Sequence, residues 1–180
     1  AYLRPGFAFG GSCLPKDLRA LLHVAKSNDV DVPMLSGILP SNDEHIETVA
    51  RAAMTGQSRQ VGLVGLSFKQ GTDDLRESPL VRLAEILIGK GYELSIYDPA
   101  VQSAMLIGAN KRYIESTIPH FSAMMRARLK DTVRPDSTVI VAHNHPELQV
   151  LLSRLNKEDL VVDLMGNVTN TPARVEGVAW

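Results

Sequence analysis

The chain has 180 residues, 44% of them hydrophobic and 22% charged, with a formal net charge of -1. That is the composition of a folded protein with a sizeable core, and the near-zero charge offers no bulk attraction to nucleic acid or to an anionic membrane. A single cysteine excludes an internal disulfide and points to a reducing, cytoplasmic setting, and no apolar run approaches the roughly 18 residues of a membrane span.

The opening residues, Ala1-Tyr-Leu-Arg-Pro-Gly6, show no basic-then-apolar leader. They begin on a glycine-rich loop with no element before it, as expected of a piece of a longer chain. Within that loop Arg4 is suited to fork onto a phosphate or carboxylate, or else to sit solvated on the surface. Gly6-Phe-Ala-Phe-Gly-Gly-Ser-Cys-Leu-Pro-Lys-Asp17 follows and organises the rest. Pro15 suits a helix start, because its missing N–H would be unpaired there anyway. Cys13 is then expected just before a helix N-terminus, where free N–H donors and the positive dipole end favour a thiolate. Lys16 adds positive charge, and Asp17 stands about one turn beyond Cys13 on the same face. A thiolate with a carboxylate nearby, behind a glycine loop that admits a substrate, is a plausible nucleophile site. A lone cysteine is equally at home as a small buried apolar residue.

The first helix is expected from about Pro15 to Ser27, with Leu18, Leu21, Leu22 and Ala25 as its buried face. Ser41-Asn-Asp-Glu44 has capping-box spacing for a second helix ending near Gly56; alternatively Pro40 kinks a longer helix that starts near Met34. Ala50, Ala53 and Met54 offer a small-residue face for packing, or for contact with a partner subunit.

From residue 58 the style changes. Gln60–Gly65, Glu93–Asp98, Ser137–Ala142 and Leu160–Leu164 read as buried strands, with Arg174–Trp180 as an edge strand or tail. Helices are expected at Pro79–Gly91, 101–109, about 118–130 and Pro146–Asn156. Alternating strands and helices with short links predict an α/β fold built on a Rossmann-like parallel sheet.

A second constellation falls at the end of the first strand, where open α/β sheets bind ligands. Gly65-Leu-Ser-Phe-Lys69 provides close backbone approach, a hydroxyl donor and a cation for phosphate. Gly71-Thr-Asp-Asp-Leu-Arg-Glu-Ser-Pro79 follows, with Ser78 as a helix cap, Arg76 free to reach a charged ligand, and Asp73 or Asp74 placed to hold Arg76 or Lys69. It is neither a G-x-G-x-x-G fingerprint nor a P-loop. Asp98-Pro99 is either a ribose contact or a turn signal. His143-Asn-His145 lacks partners with recognisable metal-ligand spacing, so no metal is expected.

The Gly10–Asp17 core together with Gly65–Lys69 and Thr72–Arg76 resembles the UDP-glucose/GDP-mannose dehydrogenase family, and the longer forms of both motifs look most like its GDP-mannose branch. The resemblance implies the end of an all-helical central domain over residues 1–57 and a carboxy-terminal nucleotide-sugar-binding α/β domain over 58–180. It implies a missing amino-terminal NAD-binding domain as partner. It also implies homo-oligomers with sites shared between subunits. Its chemistry would be the two-step oxidation of GDP-mannose to GDP-mannuronate with NAD as cofactor, which serves acidic polysaccharides such as alginate. By the same resemblance Cys13 is the catalytic nucleophile and Asp17 assists water or proton transfer. Lys16 and Arg76 face NAD, and Tyr2, Arg4, Phe7, Gly10 and Lys69 contact the nucleotide sugar. A UDP-sugar dehydrogenase and a non-catalytic nucleotide-sugar binding or oligomerisation module are the alternatives. The last of these predicts a slow-reacting Cys13.

Overall fold

The computed structural model describes residues 6–104 and 121–177. Short runs rich in valine, isoleucine and leucine form the strands β1 (Gln60–Val64), β2 (Glu93–Tyr97), β3 (Thr138–Val141) and β4 (Leu160–Asp163), and a more polar run forms β5 (Arg174–Gly177). They make a five-stranded sheet in the order β2-β1-β3-β4-β5, every neighbouring pair parallel. β3 and β4 are buried along their whole length and β1 from its second residue, which requires cover on both faces. The strand period sorts the side chains: Val61, Leu63, Ile140, Leu160 and Val162 face one core, while Val64, Val139, Val141 and Val161 face the other. β5 is the exposed edge, which decides between strand and tail.

The first core is closed by α2 (Pro33–Ala53), through Ile46, Val49, Ala50 and Ala53, and by α3 (Pro79–Gly89), through Leu80, Leu83, Ala84 and Leu87. The second is closed by Leu129 and Val133 around a tight turn and by Leu148 and Leu152 of a short helix. Gly62 admits that turn: a Cβ there would stand 2.2 Å from the Thr132 carbonyl oxygen.

Several expectations need correction. Of the two readings of the second helix, the capping-box start fails and the longer helix from near Met34 is the one that forms. It starts at Pro33 and runs through Pro40, so Ser41 is an interior residue. The Ala50 and Ala53 face is taken up inside the chain, under the sheet, and is not free for a partner. α1 (Leu14–Ser27) forms where expected, but only Pro15 is buried; Leu21 is 50% exposed and Leu18, Leu22 and Ala25 are half-buried. The helical period is present, and among the described residues it is chiefly α2 that packs against α1. The expected helix at 118–130 breaks within the described residues: a short helix at Phe121–Met124 ends where the Arg126 N–H donates to the Ile96 carbonyl at 2.8 Å, and a 3-10 turn follows at Leu129–Asp131. The last predicted helix is trimmed to Leu148–Leu152. α4 (Pro99–Ala104) ends the described part of the 101–109 prediction, whose remainder lies outside the described residues. Among the described residues no helix is long and apolar enough to cross a membrane.

Candidate functional site

The strand order reverses between β1 and β3, and the loops leaving their carboxyl ends form the crevice that ligands use in such sheets. Gly65 closes β1 at φ +101, where a Cβ would stand 2.4 Å from the His143 ring. His143 Nε2 donates to the Ser67 carbonyl at 3.1 Å, and Nδ1 lies 3.6 Å from Asp98 Oδ2. Burial pushes the His143 pKa down, opposed by the Asp98 charge and by the Ser67 carbonyl.

Asp98 itself is 1% exposed. Its Oδ2 accepts from the Leu66 N–H (2.9 Å), the Ser67 N–H (3.1 Å) and Ser67 Oγ (3.1 Å), and its Oδ1 accepts from the N–H groups of Ala100 and Val101. Between the two earlier readings of Asp98 the structure therefore chooses the turn. With both oxygens occupied, the carboxylate ties the Leu66–Ser67 turn to the start of α4 and has no lone pair to spare for a ribose. Ser78 behaves as expected: its hydroxyl accepts from the Leu80 N–H to cap α3 and donates to the Leu66 carbonyl at 2.7 Å.

From this anchored turn the loop presents Phe68 and Lys69 to solvent. The Lys69 ammonium has no partner among the described residues, while its carbonyl accepts from Thr72 Oγ1 at 2.8 Å. Phe68 covers Gly11, which sits at φ +86; a Cβ on Gly11 would lie 3.0 Å from the ring. Gly10 rests on the other loop, where a Cβ would meet the Glu77 carbonyl oxygen at 2.1 Å and Pro79 Cδ at 2.7 Å. The glycines thus serve close packing, and they bring the two sequence constellations into one cluster.

Cys13 is the cap residue of α1, exposed, with φ -99 and ψ -60 and no side-chain capping bond. Its Sγ lies 3.8 Å from Ser12 Oγ, and its carbonyl accepts from the Asp17 N–H at 2.8 Å. Asp17 and Lys16 are both largely exposed and pair at 3.3 Å. Arg76 is held by Asp74 through a two-pronged contact, Nε to Oδ1 at 2.9 Å and Nη2 to Oδ2 at 2.8 Å. The hydrogen bonds that Asp74 accepts raise the Arg76 pKa, and the charges of Asp74 and Asp73 add to the effect. Conversely the Arg76 guanidinium lowers the Asp74 pKa. Arg76 directly precedes Glu77, whose carbonyl abuts Gly10, so its loop packs on the loop that leads to Cys13. Of the remaining predicted site residues, Phe7 is buried at 9% exposure in the first core, and Tyr2 and Arg4 lie outside the described residues.

Residues that sequence reasoning did not single out complete the cluster. Asn42 of α2 clamps the loop, accepting from the Phe9 N–H and donating to the Phe9 carbonyl, both at 2.9 Å. A groove of about 670 Å³ runs between this loop and α2, lined by Phe7, Phe9, Met34, Ile38, Asn42 and His45. Phe68 could have been found from its place inside Gly65–Lys69. Nothing local in the sequence pairs Arg19 with Glu77, 58 positions apart, whose side chains meet fork to fork. Among the described residues no group of three or more His, Cys, Asp or Glu is arranged to hold a metal ion.

Comparison with known proteins identifies the relatives of this chain. Residues 62–171 match the family model described as UDP-glucose/GDP-mannose dehydrogenase family, UDP binding domain, and residues 1–44 match that family's central domain. The GDP-mannose 6-dehydrogenase of Pseudomonas putida is 48% identical over 99% of this chain and 42% of its own length. That of Pseudomonas aeruginosa is 51% identical over 99% of this chain and 41% of its own. A crystal structure of a ternary complex of GDP-mannose dehydrogenase from Pseudomonas aeruginosa superposes with a TM-score of 0.87, at 48% identity, over 99% of this chain and 41% of that one. A UDP-glucose dehydrogenase structure from Pyrobaculum islandicum does so with a TM-score of 0.76, at 27% identity, over 97% and 39%. The chain thus spans about two-fifths of the length of the curated relatives it matches. The glycine-flanked Cys13, the Lys69 and Arg76 loops behind it and these matches lead to one conclusion: the chain belongs to the UDP-glucose/GDP-mannose dehydrogenase family.

Proposed function

We propose that this chain supplies the nucleophile and the nucleotide-sugar side of an NAD-dependent GDP-mannose 6-dehydrogenase, oxidising GDP-mannose to GDP-mannuronate in two steps. The observation that carries the reading is the exposed Cys13 at the start of α1, next to Lys16, on a loop that Gly10 and Gly11 pack against Glu77 and Phe68, the neighbours of Arg76 and Lys69. The identity to GDP-mannose 6-dehydrogenases over nearly the whole chain favours guanosine over uridine sugars.

In this reading the Cys13 thiolate adds to the C6 aldehyde left by the first oxidation. The carbonyl oxygen takes a proton, and the tetrahedral thiohemiacetal can release a hydride where the trigonal aldehyde cannot. Loss of that hydride, with the hydroxyl proton passing to water, leaves a thioester. Water, assisted by Asp17, cleaves the C–S bond to give the carboxylate and return the thiolate. NAD, when bound, accepts the hydrides. The residues here fit it: the exposed Lys16 ammonium and the Arg76 guanidinium, fixed by Asp74, offer cations suited to a pyrophosphate beside Cys13. Tyr2, Arg4, Phe7, Gly10 and Lys69 contact the nucleotide sugar, with Arg4 reaching across to a partner subunit's site. Residues 1–57 belong to the dimerising central domain and 58–180 to the nucleotide-sugar domain, a division supported by family-model matches that end at 44 and resume at 62. The partner domain binds NAD, the setting is cytoplasmic, and the product feeds acidic polysaccharide such as alginate.

The test grafts this chain in place of the matching segment of the Pseudomonas aeruginosa relative. The graft is expected to form NADH from GDP-mannose in preference to UDP-glucose, and Cys13→Ser to abolish turnover to the acid. The 180-residue chain alone is expected to form none, since it carries no dinucleotide fingerprint. A graft that folds but prefers UDP-glucose would transfer the reading to UDP sugars. Full activity in Cys13→Ser would end it.

A further inference from the structure

Arg19 and Glu77 belong to neither sequence constellation's chemistry, yet they join the two. Arg19 lies one turn beyond Pro15, the buried residue of α1, and so stands on the face of that helix turned toward the start of α3. Its Nη1 donates to Glu77 Oε2 at 3.0 Å, and its Nη2 donates to Oε1. A fork-to-fork contact holds direction as well as charge, unlike most exposed ion pairs. Glu77 follows Arg76 directly and sits at φ +50, a conformation unfavourable for a residue with a side chain. Such backbone persists only where its surroundings demand it. Here the demand is visible: the Glu77 carbonyl abuts Gly10, and its carboxylate is drawn to α1.

Asp74 fixes the Arg76 guanidinium relative to its own loop. Being on that loop, it cannot set where the loop lies against α1. Arg19 and Glu77 can, since they span the helix that begins at Cys13 and the loop that carries Arg76. We propose that Arg19 and Glu77 form a latch that holds Arg76 beside Cys13. They are positioning residues and touch no substrate. The proposal rests on the reading of Cys13 as nucleophile, and its test is arranged to fail separately.

The main variant is Glu77→Asn, since asparagine tolerates the left-handed backbone but is too short to reach Arg19. Arg19→Gln, which leaves the Glu77 backbone untouched, replaces it should it fail to fold. The rescue is the charge swap Arg19→Glu with Glu77→Arg. The first readout is the rate of Cys13 alkylation by iodoacetamide in the full chain at low salt, with Tm measured alongside. Moving the Arg76 loop off the Cys13 loop changes what surrounds the sulfur, so Glu77→Asn is expected to slow alkylation roughly threefold, to the rate of Arg76→Ala. Tm is expected to shift by only a few degrees, and the swap to restore most of the rate. The second readout is the grafted dehydrogenase, in which kcat is expected to fall about tenfold while KM for the nucleotide sugar changes less than about twofold. An unchanged alkylation rate in Glu77→Asn overturns the latch, as does a loss that the swap fails to restore. A wild-type graft without activity counts against the dehydrogenase reading, while the alkylation comparison still decides the latch.

Discussion

His143 shows how one side chain serves the site without entering its chemistry. The imidazole fills the space that Gly65 leaves open and braces the Ser67 carbonyl, so the turn carrying Phe68 and Lys69 has a fixed exit from β1. Burial makes neutral His143 the form the fold prefers. As pH falls below about 6.5 the unfolded chain takes up that proton first, so the stability present above this value is lost progressively down to the lowered folded pKa. Thermal unfolding at pH 7.5 and 5.5 is therefore expected to show a drop in Tm that His143→Gln reduces; an equal drop in the variant would place the titration elsewhere. Asp98 carries more. Asp98→Asn leaves a single acceptor oxygen and sets an NH2 against backbone donors. Urea unfolding is expected to show a loss of about 2–3 kcal/mol.

At the scale of elements, helices of similar apolar pattern differ in what they bury. α3 presents Leu83 and Leu87 to the sheet with no exposure at all, whereas Leu21 of α1, in an equally regular pattern, is 50% exposed. Leu83→Ala is accordingly expected to destabilise the chain by about 2–5 kcal/mol, and Leu21→Ala by less than about 1 kcal/mol. Chemical denaturation of the two variants in parallel checks this; comparable losses would mean that α1 is covered in solution by something absent here. α2 behaves as two halves. Ile46, Val49, Ala50 and Ala53 build the core, while its amino-terminal part, with Met34 81% exposed, walls the groove beside Phe7 and Phe9.

For the whole molecule the decisive contacts run between the amino-terminal loop and the α/β sheet. Gly10 on the Glu77 carbonyl and Gly11 under Phe68 are two places where the amino-terminal loop packs too closely on the other half for a side chain to fit without a shift. In Gly10→Ala the new methyl meets backbone on a loop anchored by the Ser78 cap, so the loops must part. Tm is expected to fall, and the Cys13 alkylation rate to move toward that of Arg76→Ala. A variant as stable and reactive as the parent would show that this contact does not carry the site.

Local chemistry alone determined much of this protein. Strand runs long enough to be buried on both faces, Ser78 and Pro79 at the start of α3, and the glycine-flanked Cys13 ahead of Pro15 each follow from residues within a few positions of one another. Two motifs in the right order sufficed for the family. Tertiary structure decided what local pattern leaves open. A helical period states that a face is apolar and not what covers it, so the pattern of α1 predicts a buried face that the structure leaves largely open. A carboxylate at a strand end reads alike as ligand contact or turn anchor until its acceptor sites are counted, as they are for Asp98. The pairing of Arg19 with Glu77, and of glycines 10 and 11 with the second loop, depends on contacts between segments more than fifty residues apart, set by how the chain packs and not by any local preference.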